Sequence, residues 1–277
     1  MGQNTMKPIT IKAIQAGLPT VVDKPLAVAT ADAADIVALA RRRGVLLSVY
    51  QNRRWDAELL TLRRVLDDGS LGRVHRFESR FERWRPQPKQ GWRESGDPAA
   101  GGGVLLDLGS HLVDQAMHLF GAVTTVYGEV AVRRPGAVVD DDMFVAMRHT
   151  CGVTSHLWAS AVAAQLGPRL RVLGANGAYV APDLDPQEAA LRTGERPDGD
   201  GWGEVPEHSW PLVGADGAVH RLRSSRGDWP AFYRQWRDAL LGNGPVPVDP
   251  AGAVATLRVL EAAAASSREG RLVSLSD

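Results

Sequence analysis

The sequence predicts a mixed architecture: a short piece of parallel α/β sheet, then an α+β domain with a large, mostly antiparallel sheet flanked by helices. Three observations predict it. Up to about residue 50, helix, strand, helix and strand follow one another at the spacing of a βαβ unit. From residue 73 onward, β-rich segments are separated by turn signals such as "RPG" and "GANG". The chain has 277 residues, 44% hydrophobic and 23% charged, enough for one large or two modest domains around a proper core.

The elements follow in order. "PITIKAIQA" (8–16) reads as a helix with Pro8 in its first turn and Gly17 as its stop. "TVV" (20–22) is a short β-branched strand. "ADAADIVALARRR" (31–43) is a helix with Thr30 as N-cap and Gly44 after its end. "VLLSVY" (45–50) is a continuous apolar strand, the kind buried on both faces. "DAELLTLRRVLDD" (56–68) is an amphipathic helix ended at Gly69. In 73–84, Val74, Arg76, Glu78, Arg80 and Glu82 alternate with His75, Phe77, Ser79, Phe81 and Arg83, a strand with one wet face. Further strands are expected at 123–133, 142–149, 153–161, 169–174 and 178–181. Residues 194–228 read as a long excursion with little regular structure, and helices at about 228–241 and 250–267 close the chain.

Bulk properties exclude several classes. Lys+Arg and Asp+Glu both number 32, so no net field draws the chain to nucleic acid or an anionic membrane. The single cysteine, Cys151, excludes an internal disulfide framework and fits a reducing cytoplasm. No apolar run reaches the roughly 18 residues of a membrane span. "MGQNTMKPIT" lacks the basic start and apolar centre of a signal peptide. A cytoplasmic globular protein is expected.

"GGGVLLDLGSHLVDQAMHLFG" (101–121) carries the first chemical signal. Asp107, His111, Asp114 and His118 are spaced i, i+4, i+7 and i+11, one face of a helix otherwise rich in Leu, Val and Met. Such a helix is held inside the protein, so its polar stripe needs a polar surrounding, and a cleft supplies one. An Asp one turn before a His can hold one ring nitrogen and leave the other for proton transfer. The glycines ahead bare backbone N–H groups to a ligand. The same stripe also reads as an ion-paired, solvated edge, or as carboxylate and imidazole ligands of zinc or iron; no Cys pair or HExxH supports a metal. "VVDKP" (21–25) puts Lys24 just past the carboxyl end of a strand, where ligands lie in open α/β sheets, unless it is simply solvated. "YQNRRWD" (50–56) follows the next strand with Asn52, Arg53 and Arg54, donors for hydroxyls or carboxylates.

Together these stretches resemble the Gfo/Idh/MocA family of NAD(P)-dependent oxidoreductases. "DKP" is similar to its E-K-P motif, with Asp in place of Glu, and "GGGVLLDLGSHLVDQ" to its glycine run followed by D-x-x-x-H. "QNRRWD", "SLGRVHRFESRFERWRP", "GWRE", "RPGAVVDDD" and "LDPQEAALRTGERP" resemble its scyllo-inositol dehydrogenase-like branch, from about Asn4 to the end. The resemblance implies that residues 1–52 are part of a dinucleotide-binding (Rossmann) domain and 53–277 a substrate-binding and oligomerisation domain. It implies hydride transfer between NAD(P) and a secondary alcohol of a polyol, inositol or sugar, with Lys24, Asp107 and His111 catalytic. His111 would take the alcohol proton, Lys24 would stabilise the developing alkoxide, and Asp107 would orient the imidazole. Asn52, Arg53, Arg54, Trp92 and Arg93 would line the substrate pocket. Lys24, Pro25 and Asn4 would lie by the nicotinamide, with Asp114 and His118 further away. It also implies a homo-oligomer formed through the antiparallel sheet.

One family feature is absent. No G-x-G-x-x-G occurs: the run at 101–103 breaks at Leu106, and "GDGWGEV" (199–205) breaks at Glu204. Amides at a helix N-terminus normally grip the cofactor pyrophosphate, and nothing replaces them. This chain alone is therefore expected to bind NAD(P) weakly, and its short parallel sheet to leave an unpaired edge. Two other readings stay open: a non-catalytic carbohydrate-binding or scaffold protein, and a split enzyme completed by a partner chain.

Overall fold

In the computed structural model, which describes residues 3–275, the chain opens with α1 (Gln3–Gln15), β1 (Thr20–Asp23), α2 (Thr30–Arg43) and β2 (Leu47–Tyr50). A 3₁₀ turn (Asn52–Trp55) leads to α3 (Ala57–Asp67) and β3 (Val74–Glu82). Then come α4 (Val104–Asp107), α5 (Gly109–Phe120), β4 (Val123–Ala131), β5 (Asp142–His149), β6 (Thr154–Ser160), β7 (Leu170–Gly174) and β8 (Ala178–Ala181). The last elements are α6 (Gln187–Arg192), β9 (Leu212–Gly214), β10 (His220–Arg221), α7 (Pro230–Leu240), α8 (Pro250–Glu269) and β11 (Val273–Ser274).

β1 and β2 pair in parallel, Thr20 opposite Leu47 and Asp23 opposite Tyr50. The other strands form one sheet of nine, ordered β10-β9-β8-β7-β3-β6-β5-β4-β11. Every neighbouring pair in it is antiparallel except β3 and β6. The fold is thus a small parallel sheet joined to a large, mostly antiparallel one.

α5 and α8 cover one face of that sheet. Leu112, Val113 and Ala116 of α5 and Leu257, Leu260 and Ala263 of α8 pack with Phe77, Val126, Val145 and Leu157 from the strands. Each fully buried Leu or Val contributes about 1.5–3 kcal/mol. Contact is tight enough to require Gly128, where a Cβ would lie 2.4 Å from the Ala263 carbonyl oxygen. On the other face Phe144, His156 and Trp158 form a half-buried ring cluster, with centroids 5.1–6.0 Å apart.

Several local expectations need correction. α1 begins five residues before Pro8, so the proline lies inside the helix; nothing in 4–7 breaks it, and the Thr10 hydroxyl donates to the Met6 carbonyl at 2.8 Å. Thr30 is the first residue of α2 and not its cap. Its amide donates instead to Glu261 Oε1 of α8 at 2.7 Å, a carboxylate 231 residues away. The alternating strand is central, between β6 and β7, so its outer face is not simply wet: Glu78 is buried by ion pairs to Arg80 and Arg171. The 194–228 excursion contains β9 and β10, which extend the sheet edge.

Candidate functional site

Residues 101–121 do not form one helix. α4 ends at Asp107, Leu108 takes φ −100° and ψ −37°, and α5 starts at Gly109. A Cβ at residue 109 would press to 3.1 Å from both Leu260 and Met143, so this turn sits against the core. The break overturns the single-face reading: Asp107 and His111 belong to separate helices and their side chains take different partners. The glycines ahead are not bared to a ligand either. Asp140 caps α4, accepting from the Leu105 amide at 2.7 Å, and a Cβ on Gly103 (φ 94°) would lie 2.0 Å from the Asp140 carboxylate.

Lys24 leaves the carboxyl end of β1, ahead of a cis bond to Pro25, and crosses to α4. Its Nζ donates to Asp107 Oδ1 at 2.9 Å and also to the Asp107 carbonyl. Arg93, in the 3₁₀ turn Trp92–Glu94, donates from Nε to Asp107 Oδ2 at 3.0 Å, with its guanidinium 4.3 Å above the Trp92 ring. Burial alone would raise the Asp107 carboxyl, but Lys24 and Arg93 outweigh it and hold it below the usual carboxylate range. Three separate segments, one of them 83 residues away, thus meet at one carboxylate.

His111 lies behind them, 7% exposed. Its Nδ1 is 3.1 Å from Oε1 of Gln51, at the end of β2, and its ring is 6.2 Å from Phe81. Burial, reinforced by the positive charges of Lys24, Arg53, Arg169 and Arg93, holds the imidazole well below its usual value, so it is neutral. Asp107, both oxygens engaged by cations, does not hold the imidazole; the residue in contact with it is an amide.

The arginines of "NRRW" are engaged elsewhere. Arg54 makes a two-pronged pair with Asp114 at 2.8 and 2.7 Å. Arg53 is buried between the Phe81 and Trp229 rings and pairs with Asp56 and Glu188. Acids of the chain itself thus hold both guanidinium groups, where substrate hydroxyls were expected, and Arg53 Nε keeps no partner. Asn52 is half-buried at the start of its turn with no side-chain hydrogen bond among the described residues. Asn4 lies in α1, and its side chain falls outside the described residues. His118 faces Arg63 at 3.5 Å, remote from the Lys24–Asp107 pair. Among the described residues no group of three or more His, Cys, Asp or Glu is assembled to hold a metal.

Two arginines missed in the sequence take part. Arg83 and Arg85 line the cleft that Arg93, Asp107, Asp140 and Arg134 also line. Arg134 is tied to Glu94 and Asp141, whereas Arg83 and Arg85 bond through their backbones to Ser160 and Ala161 and their half-buried guanidinium groups have no hydrogen bond or ion pair among the described residues. Their i, i+2 spacing just past the end of β3 was the available signal. Gln51 was equally legible as the last residue before the turn after a parallel strand.

The arrangement offers a carboxylate, Asp107, in a cleft with the unpartnered guanidinium groups of Arg83 and Arg85, an ammonium paired to that carboxylate, and a buried imidazole within electrostatic reach of the ammonium. The model of the oxidoreductase family C-terminal alpha/beta domain (Gfo/Idh/MocA) matches residues 63–275, and that of the family's NAD-binding Rossmann fold matches 2–51. The chain is 38% identical over 268 residues to the uncharacterized oxidoreductase YdgJ of Escherichia coli, covering 93% of this chain and 74% of that protein. It is 33% identical over 270 residues to the scyllo-inositol 2-dehydrogenase (NADP(+)) IolW of Bacillus subtilis, covering 96% and 75%. The solved structure of yvaA from Bacillus subtilis superposes with a TM-score of 0.94 at 29% identity, covering 100% of this chain and 79% of that one. The chain belongs to the Gfo/Idh/MocA oxidoreductase family.

Proposed function

We propose that this chain carries the substrate half, and the nicotinamide end, of an oxidoreductase that moves a hydride between NAD(P) and a secondary alcohol of a polyol, inositol or sugar. Residues 1–52 supply the cofactor side and 53–277 the substrate side. The observation that carries the reading is the meeting of Lys24 and Asp107 at 2.9 Å, from segments 83 residues apart, with the neutral His111 within electrostatic reach of the ammonium. His111 takes the hydroxyl proton or returns it to the carbonyl. Lys24 stabilises negative charge on the reacting oxygen, with Asp107 keeping its ammonium in place. Arg83, Arg85 and Arg93, which line the cleft, hold the remaining substrate oxygens together with Trp92 and Asn52. The polyol or sugar class is supported by IolW, whose own substrate is scyllo-inositol.

The residues present fit only part of the cofactor. Lys24 and Pro25, at the carboxyl end of a parallel strand, suit the nicotinamide end, and the cofactor would accept or supply the hydride. No G-x-G-x-x-G is present to cradle a pyrophosphate, which favours weak binding by this 277-residue chain. The unpartnered guanidinium groups of Arg83 and Arg85 in the cleft equally suit a second reading, a carbohydrate binder without turnover. The two separate in one assay: reduction of NAD+ or NADP+ by the chain in the presence of inositols and hexoses, beside calorimetric titration of the same compounds. Turnover supports the oxidoreductase; saturable binding without turnover at any cofactor concentration supports the binder.

The single cysteine, Cys151, supports a reducing compartment. The half-buried Phe144, His156 and Trp158 cluster on the other sheet face supports a homo-oligomer built through that face.

A further inference from the structure

We propose that Gln51 is the positioning residue of His111: its amide oxygen accepts from Nδ1–H and selects the tautomer whose Nε2 lone pair is left for the substrate proton. The inference rests on the reading of His111 as the acid–base group, and it makes an amide, not a carboxylate, the partner of that group.

The argument begins with the amide itself. Gln51 and His111 are 2% and 7% exposed, and Oε1 lies 3.1 Å from Nδ1. On its other side the Gln51 Nε2 faces the Ser110 carbonyl at 3.5 Å. A carbonyl oxygen only accepts, so Nε2 must point toward it. Turning the amide over would set Oε1 against the Ser110 oxygen, lone pair to lone pair. With Oε1 fixed toward the ring, Nδ1 must carry the hydrogen, because two acceptors cannot share the contact.

Other candidates for this task are engaged. Asp107 has one oxygen on Lys24 and the other on Arg93. Asp114 is held on Arg54 by both oxygens. Nε2 of His111 has no hydrogen-bond partner among the described residues, so nothing but the Gln51 contact fixes the tautomer. A neutral partner also adds no countercharge to an imidazolium, so the ring releases its proton readily once it has taken one.

The test needs no cofactor and no turnover. Two-dimensional ¹H–¹⁵N spectra of the imidazole of this chain, with the His111 signals assigned from a H111N variant, report which ring nitrogen is protonated. The expected result near neutral pH is a neutral ring with the hydrogen on Nδ1. Gln51→Leu removes the acceptor, and the Nδ1–H to Nε2–H ratio falls about tenfold, the size of one lost hydrogen bond in a buried site. Gln51→Glu keeps an acceptor, so Nδ1 keeps its hydrogen whether the ring stays neutral or the new carboxylate charges it. An Nε2–H or doubly protonated ring in the unaltered chain overturns the proposal, as does a Leu variant with an unchanged ratio. Should the Leu variant fail to fold, the spectra of the unaltered chain and of Gln51→Glu decide alone. An Nδ1–H ring in a chain without turnover would count against the dehydrogenase reading and leave the role of Gln51 standing.

Discussion

Asp114 shows how a residue's chemistry depends on what it faces. In the sequence it stands in the same stripe as His111, yet its carboxylate is given wholly to Arg54 in a nearly buried pair. Removing one member leaves a buried charge without compensation, so Asp114→Ala is expected to cost about 3–5 kcal/mol in urea unfolding. The double change Arg54→Met with Asp114→Leu, which removes both charges, should cost clearly less. His111 and His149 make a second prediction. Burial holds both imidazoles below their usual values in the folded chain. When pH falls through about 6.5, the unfolded chain takes up protons at these positions that the folded chain refuses. Their contribution to stability is therefore fully present above that pH and declines below it. Relative to the unaltered chain, the urea midpoint of His111→Asn should rise as pH is lowered from neutral to mildly acidic.

At the scale of elements, the glycine run was visible in the sequence but its purpose was not. Gly103 is needed because its φ is positive and because the Asp140 carboxylate occupies the place of a side chain while capping α4. Gly103→Ala is expected to lose about 1–3 kcal/mol or more, a combination of backbone strain and a displaced cap, measured as a fall in the thermal midpoint. The parallel pair, the central strand and both closing helices were legible because each rests on a local period of 2 or 3.6 residues. The break at Leu108 was not legible. It falls where Gly109 packs closely on Leu260 and Met143, residues with no sequence proximity to it. Lys24, Asp107 and His111 could be picked out by type and position, whereas their pairing could not. A one-residue interruption sends Asp107 to Lys24 and leaves the imidazole to Gln51. Likewise Arg53 and Arg54 read as donors until their acids, Glu188 and Asp114, arrive from distant segments.

At the scale of the whole molecule, the two sheets divide the work: the parallel pair delivers Lys24 and Gln51, and the helices on the large sheet deliver Asp107 and His111. The opposite face of the large sheet, with its ring cluster around Trp158, is the proposed subunit contact. Light scattering after size-exclusion chromatography should give a mass of at least twice 29.8 kDa, and Phe144→Asp with Trp158→Asp should return it to the monomer. The measurement that bears most directly on the convergence of Lys24 and His111 on one alcohol is the initial rate of polyol-dependent NAD(P)+ reduction against cofactor concentration, for the chain and for His111→Asn. The expected result is a polyol-dependent rate that falls about 10²–10⁴-fold in the variant at every cofactor concentration. A rate in the variant equal to that of the unaltered chain would contradict it.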